Sequence, residues 1–321
     1  MDIGSTINLR YGKATRDAFG EALLAAGREN QSIVVVDGDV SNSTRTEAFG
    51  KAFPNRFFNL GIAESNMVSV ASGLAAAGKT PLVSSFAVFL LNNAYEQIRM
   101  GVAFPNLNVK MMGSHAGVSI GEDGPSQMAI EDLALATSFP NMTVLVPADE
   151  AATRAATHAM FRYAGPVYLR TGRPKVPIIY SGDAPFEIGK ANQLREGSDL
   201  TIIACGLMVA VALEAAALLV QRGRTARVLD MHTIKPIDID AITRAARQTG
   251  AIVTAEEHLL EGGLGAAVAR AAAAHAPVPI EFIGIRDVYG KSGQPQELLE
   301  AFGLLAGDVL AAAERAIARK T

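Results

Sequence analysis

The chain lacks most of the features that would send it to a special environment. One cysteine, Cys205, among 321 residues excludes an internal disulfide framework and fits a reducing compartment. There is no tryptophan, and aromatics make up 6% of the residues. The longest apolar runs, such as 208–220, are interrupted by charge and too short to span a bilayer. Residues 1–15 carry no apolar core of signal-peptide type, so a soluble, cytoplasmic protein is expected. A net charge of −3 offers no basic face for nucleic acid. No GxxxxGK[ST] loop and no GxSxG elbow occurs. The five histidines, His115, His158, His232, His258 and His275, are scattered and none pairs at i, i+4, so no metal site is expected in this chain.

What is present is alternation. A helical pattern over 13–27 leads to the β-branched run 32–37, which reads as a buried parallel strand. Helices are expected over 64–77, 92–103, 130–137 and 150–163, and strands over 81–85, 108–112, 143–146 and 166–170. Residues 171–198 hold several prolines and glycines and no periodicity. Alternation then restarts, with strands over 200–204, 226–230, 251–255 and 280–283. Helices are expected over 207–222, 238–248, 265–274 and 306–319. The fold class is therefore α/β, two doubly wound domains with mainly parallel sheets over 1–175 and 199–321, joined by a linker at 176–198.

Four local features carry chemistry. Residues 61–73 put Glu64 at the mouth of a small-residue helix, with Met67, Val68 and Val70 behind it. A carboxylate there is comfortable when exposed, but buried it needs a proton or a donor. The loop 113–127 gathers His115, Ser119, Glu122, Asp123 and Gln127 among four glycines. It follows a parallel strand, at the end where open α/β sheets bind ligands, and a loop so long and polar favours function over a plain turn. Phe86 and Phe89 follow a strand; their spacing fits core packing, and it also fits a wall for a flat heteroaromatic ligand. Gly262-Gly263-Leu264-Gly265 opens a helix, as a packing turn or as an anion cradle. In the second domain the dense polar set is His232, Glu256, Glu257 and His258.

Together, Gly61-Ile62-Ala63-Glu64, Ser85-Phe86-Ala87-Val88-Phe89 and Gly121-Glu122-Asp123-Gly124-Pro125 resemble the C-terminal half of transketolase. That half is a pyrimidine-binding domain followed by a C-terminal domain. The resemblance covers nearly the whole chain and implies the smaller partner of a split, thiamine-diphosphate-dependent enzyme that moves a two-carbon ketol unit between sugars. It implies that Glu64 bonds N1′ of the cofactor's aminopyrimidine and favours the imino tautomer that takes the thiazolium proton. It gives Phe86 and Phe89 a place around that ring, and Asp39 and Val40 a place beside the cofactor. It brings His115 and Asp123 to the donor sugar, and Ser43 and Arg170 to its phosphate, with Arg173 as the alternative if the register slips.

Two positions depart from the family pattern. Gln127 stands where the family has histidine, and the family's early phosphate-binding arginine falls on Gly12, with Arg10 nearby. Losing both implies an altered donor or acceptor sugar. The family's diphosphate and Mg²⁺ motif, GDG with a spaced asparagine, is also missing, because Val40 follows Gly38-Asp39. A partner chain carrying the diphosphate and Mg²⁺ domain is therefore expected, in a heterotetramer of two copies of each; alone, this chain should be inactive and able to form a homodimer. The competing readings are a 1-deoxyxylulose-5-phosphate-synthase-like or 2-oxoacid dehydrogenase E1 beta-like subunit, and a catalytically silent scaffold. The intact 121–125 segment argues against the first pair, and Glu64, His115 and Asp123 together argue against the scaffold.

Overall fold

The computed structural model describes residues 1–320. Its larger sheet has seven strands, in the order Thr233–Lys235, Thr143–Leu145, Val167–Arg170, Lys110–Ser114, Thr80–Phe86, Ile33–Asp37 and Phe57–Asn59. All pairings are parallel except that of Thr233–Lys235. The second sheet runs Ile280–Ile285, Ile252–Leu259, Leu200–Ala204, Ala226–Asp230 and Asn192–Arg195, with only the last strand antiparallel. Ile33–Asp37 is buried along its whole length, as a β-branched run in the middle of a parallel sheet should be.

Alanine-rich helices cover both sheets and let backbones approach closely. Met208–Gln221 buries nine residues, among them Glu214. That carboxylate is satisfied from an unexpected quarter. It accepts from Gly4 N at 2.8 Å, from Thr6 N at 3.2 Å and from Thr6 Oγ1 at 2.6 Å. With Ile3 buried in the second core as well, the first residues pack on the second domain rather than the first.

Three further boundaries differ from the sequence reading. The expected 92–103 helix is two pieces, Ala87–Asn93 and a π-helical turn at Ile98–Ala103, joined by a short turn at Tyr95–Gln97. The 176–198 stretch contributes Asn192–Arg195 to the second sheet, and Lys175–Pro177 pairs with Tyr11–Ala14. Thr233–Lys235 crosses back to the first sheet, so apolar packing runs without a break from one domain to the other.

In the larger sheet, the chain passes from Ile33–Asp37 outward to Phe57–Asn59 and then back to Thr80–Phe86 on the other side. The carboxyl ends of Ile33–Asp37 and Thr80–Phe86 therefore flank a point where strand order reverses, the crevice in which open α/β sheets take ligands. Glu64, Phe86 and the 37–40 loop converge there.

Candidate active site

Glu64 opens the helix Glu64–Ala76 and is buried, at 5% exposure. Its Oε1 accepts from Ser85 Oγ at 3.0 Å. Its Oε2 has only Asn93 Nδ2 at 3.4 Å, a long contact that leaves acceptor capacity unspent. Asn93 ends the Ala87–Asn93 helix, just before the turn that interrupts the expected 92–103 pattern.

One residue beyond Ser85, Phe86 stacks on Phe89 at 5.8 Å between centroids and 15° between planes. It also stacks on His115 at 3.9 Å and 11°. Phe86 and Phe89 are both partly exposed. They form a wall facing outward more than a core.

His115 has φ +60° and is buried. Its Nδ1 lies 2.6 Å from Ser114 Oγ and its Nε2 2.9 Å from Arg16 Nη1. A guanidinium can only donate, so Nε2 accepts and the proton sits on Nδ1. Burial, and then the charges of Arg16, Arg173 and Arg45, push its pKa down to about 3. His115 is a neutral ring at working pH.

Arg16 was missed in the sequence. Its Nη1 also donates to Ser43 O at 3.1 Å, while its buried Nε has no partner. It sits in the first turn of Thr15–Glu29, where the helix macrodipole disfavours a cation. That misplaced charge was the available signal. A side chain at Gly12 would press on Glu150 and Ile178, whereas Arg16 reaches His115.

Arg170 is largely committed to internal bonds. It is 6% exposed, and its Nε donates to Asp132 Oδ2 at 2.8 Å. Its Nη2 donates to Ala129 O at 3.1 Å and to Glu257 O at 3.0 Å. The same Asp132 oxygen takes the Tyr168 hydroxyl at 2.8 Å. These bonds point inward and tie the first domain to the second. Arg173 does face the cleft. Its Nη1 donates to Ile120 O at 2.8 Å and meets Asp123 at 3.2 Å and Glu122 at 3.4 Å. Arg16 and Arg173 line one cleft of about 510 Å³, together with Ser119, Lys175 and Pro295.

The 37–40 loop is pinned by Asp37, whose buried carboxylate accepts from Val40 N at 2.9 Å, Thr46 Oγ1 at 2.7 Å and Thr44 Oγ1 at 3.2 Å. Asp39 is thereby held at φ +65°, exposed, with Asn59 Nδ2 at 2.8 Å. Gln127 lies at the loop's end and takes the Ser126 hydroxyl at 2.6 Å. No cluster of three metal-ligating side chains occurs among the described residues, and no helix among them is long and apolar enough to cross a membrane.

Such a site defines a class: a two-domain α/β subunit with a buried carboxylate, an aromatic wall and a cationic mouth. The pyrimidine-binding domain of transketolase matches residues 12–178, and the transketolase C-terminal domain matches residues 189–309. The chain belongs to the transketolase family. It is 44% identical to a putative transketolase C-terminal section of Methanocaldococcus jannaschii over 91% of this chain and 92% of that one. It is 41% identical to a 6-deoxy-6-sulfo-D-fructose transketolase subunit of Clostridium sp. (strain MSTE9), over 95% of each. Against Homo sapiens transketolase it is 43% identical, but it spans only 49% of that longer protein. Among solved structures, a split-gene transketolase described as an inactive β4 tetramer superposes with TM-score 0.91 at 51% identity, covering 97% of this chain and all of that one. The family is thiamine diphosphate dependent, and its members are transferases.

Proposed function

We propose that this chain is the pyrimidine-binding subunit of a split transketolase, transferring a glycolaldehyde unit from a ketose phosphate to an aldose phosphate. One observation carries the reading. A single run of contacts joins the buried carboxylate of Glu64 to the guanidinium of Arg16, through Ser85, its neighbour Phe86 and His115. A flat heteroaromatic ring bonded at one end and a phosphorylated sugar at the other would use those two groups.

The residues fit thiamine diphosphate on this chain's own evidence. Glu64 Oε2 has acceptor capacity to spare, and Phe86, next in the strand after its donor Ser85, stacks parallel to Phe89. Bound there, the cofactor supplies the carbanion chemistry. Glu64 holds the proton at pyrimidine N1′. Phe86 and Phe89 pack the ring, while Asp39 and Val40 border it. Neutral His115, with its proton fixed on Nδ1 by Arg16, meets the donor. Asp123 takes a sugar hydroxyl, and Gln127 lies at the same loop's end. Arg16, Arg173 and Ser43 take the phosphate. We assign Arg16 the role of the family's early phosphate-binding arginine, which leaves Gln127 as the remaining departure behind an altered sugar.

The diphosphate and Mg²⁺ fall to a partner. Relatives named as a C-terminal section and as a split-gene transketolase support an N-terminal-section subunit, and the inactive β4 tetramer supports inactivity of this half by itself. Two copies of each chain would pair the sites. The test is co-expression with the N-terminal-section subunit, then assays with thiamine diphosphate and Mg²⁺. Glycolaldehyde transfer supports the proposal. Pyruvate decarboxylation would instead favour a 1-deoxyxylulose-5-phosphate-synthase-like or E1 beta-like subunit, and no turnover with any donor a scaffold.

A further inference from the structure

The second domain contributes none of the groups just described, yet its own ligand crevice is filled. Leu200–Ala204 leads to Ala226–Asp230 on one side and the chain returns to Ile252–Leu259 on the other. The reversal lies at the carboxyl ends of Leu200–Ala204 and Ile252–Leu259, where an open sheet normally takes a small molecule. Here the occupant is the segment of the first domain that follows His115.

Glu257 is 6% exposed, and its Oε1 accepts from Ser119 N at 2.5 Å. Gly117 has φ +86°, and a Cβ there would collide with the same carboxyl group. Leu259 N donates to Ile130 O at 2.8 Å. His258 Nε2 accepts from Leu133 N at 3.1 Å, with Nδ1 2.7 Å from Leu259 O. At the loop's tip, Gly121 packs on Gly293 and Pro295, and Gly124 on Ser292. The loop carrying His115 and Asp123 is therefore gripped by the second domain at its base, its tip and its far end.

We propose that the C-terminal domain is the seat of the sugar-binding loop, and that Glu257 is its positioning residue. Glu257 touches no substrate. It fixes Ser119, which lies between His115 and Asp123 in the loop, so that both meet the donor at once. A buried carboxylate aimed at a backbone N–H is costly to desolvate, and simple domain glue would be served as well by an apolar side chain. The inference rests on the ketol-transfer reading for its kinetics, but not for its structural readout.

The experiment uses the reconstituted two-subunit enzyme with E257A and E257Q. It measures donor-ketose KM, kcat, the thiamine diphosphate activation constant and amide hydrogen exchange over residues 113–127. For E257A, donor KM should rise about tenfold or more, with the cofactor constant within about twofold of wild type. Exchange over 113–127 should speed by a similar factor. The Gln amide oxygen can still accept from Ser119 N, so E257Q should stay within about threefold of wild type in KM. Unchanged exchange in E257A overturns the proposal, as does faster exchange with donor KM unmoved, or E257Q as impaired as E257A. If E257A fails to fold, G117A replaces it: the added methyl pushes the loop off an intact carboxylate and should raise donor KM in the same way, and an unmoved KM overturns the proposal. If the wild-type pair transfers no ketol unit, the function reading falls, and the exchange measurement alone decides whether Glu257 seats the loop.

Discussion

Replacing Arg16 by methionine keeps the length of the side chain and removes its charge. In the structure Arg16 gives two bonds from Nη1, to Ser43 O and His115 Nε2, and leaves Nε buried without a partner. The positive charge, with Nη2 engaged in no bond, is what a donor phosphate would meet. A hydrogen bond to a charged group contributes about 1.5–3 kcal/mol, which is about 10–150-fold in kcat/KM. Arg173 and Arg45 remain nearby, so the loss should sit toward the low end of that range. The discriminating assay compares a phosphorylated ketose with its non-phosphorylated counterpart in the reconstituted enzyme. R16M should weaken the first by about tenfold or more and the second by less than about threefold. The substitution also removes one of the cations that hold His115 neutral. The donor-binding pH profile of R16M should therefore show an inflection at higher pH than wild type. Equal losses on the two donors would refute a phosphate role and leave Arg16 as support for His115 alone.

Glu64→Gln can no longer hold a proton at the pyrimidine nitrogen, and turnover should fall by about 10²–10⁴-fold at saturating cofactor; a variant keeping a tenth of wild-type kcat sinks the assignment. Arg170→Ala strands Asp132 in a buried site and should cost about 3–5 kcal/mol in urea unfolding. Arg173→Ala, at a half-exposed position, should stay within about 0.5 kcal/mol of wild type in stability while raising donor KM. Reversed effects would restore Arg170 to the substrate side. His232 is buried, and burial pushes its pKa down to about 4. Its folded value lies below the unfolded one, so the unfolded chain binds the extra proton. The stability contribution is full above pH ~6.5 and is lost as pH falls toward 4. Comparing wild type with H232Q by urea unfolding, the difference should shrink by up to ~2 kcal/mol between pH 7 and pH 5. A difference that grows on acidification would show that His232 is charged in the fold.

The parts of the fold readable from sequence were those whose burial is local and periodic. The 33–37 run could only be a central strand, and the alternation after residue 200 could only be a second sheet. Phe57–Asn59, Asn192–Arg195 and Thr233–Lys235 escaped because three- and four-residue edge strands exist through their pairing, not through any pattern of their own. The 92–103 helix failed at Ala94 for a related reason: Asn93, which ends the Ala87–Asn93 helix, has its amide at Glu64. Glu64, His115 and Asp123 could be singled out as candidates because unusual residue types cluster there beside glycines. Arg16 was not singled out, and Arg173 entered only as the alternative to Arg170, because arginine is common and only direction separates a surface charge from a binding one.

Direction follows from what each guanidinium gives up. Arg170 is enclosed, and an enclosed charge is tolerable only when paired, so its Nε and Nη2 are spent on Asp132, Ala129 and Glu257. Arg16 is in the opposite state. It is partly withdrawn from water, with Arg45 and Arg173 near enough to push its pKa down behind the effect of burial, and with Nε still free. Cations crowded together and left short of acceptors gain from an anion what a satisfied pair cannot. Arg16 is therefore the cleft arginine whose bonds are unfinished, and the position where substitution should change the substrate preference rather than the stability.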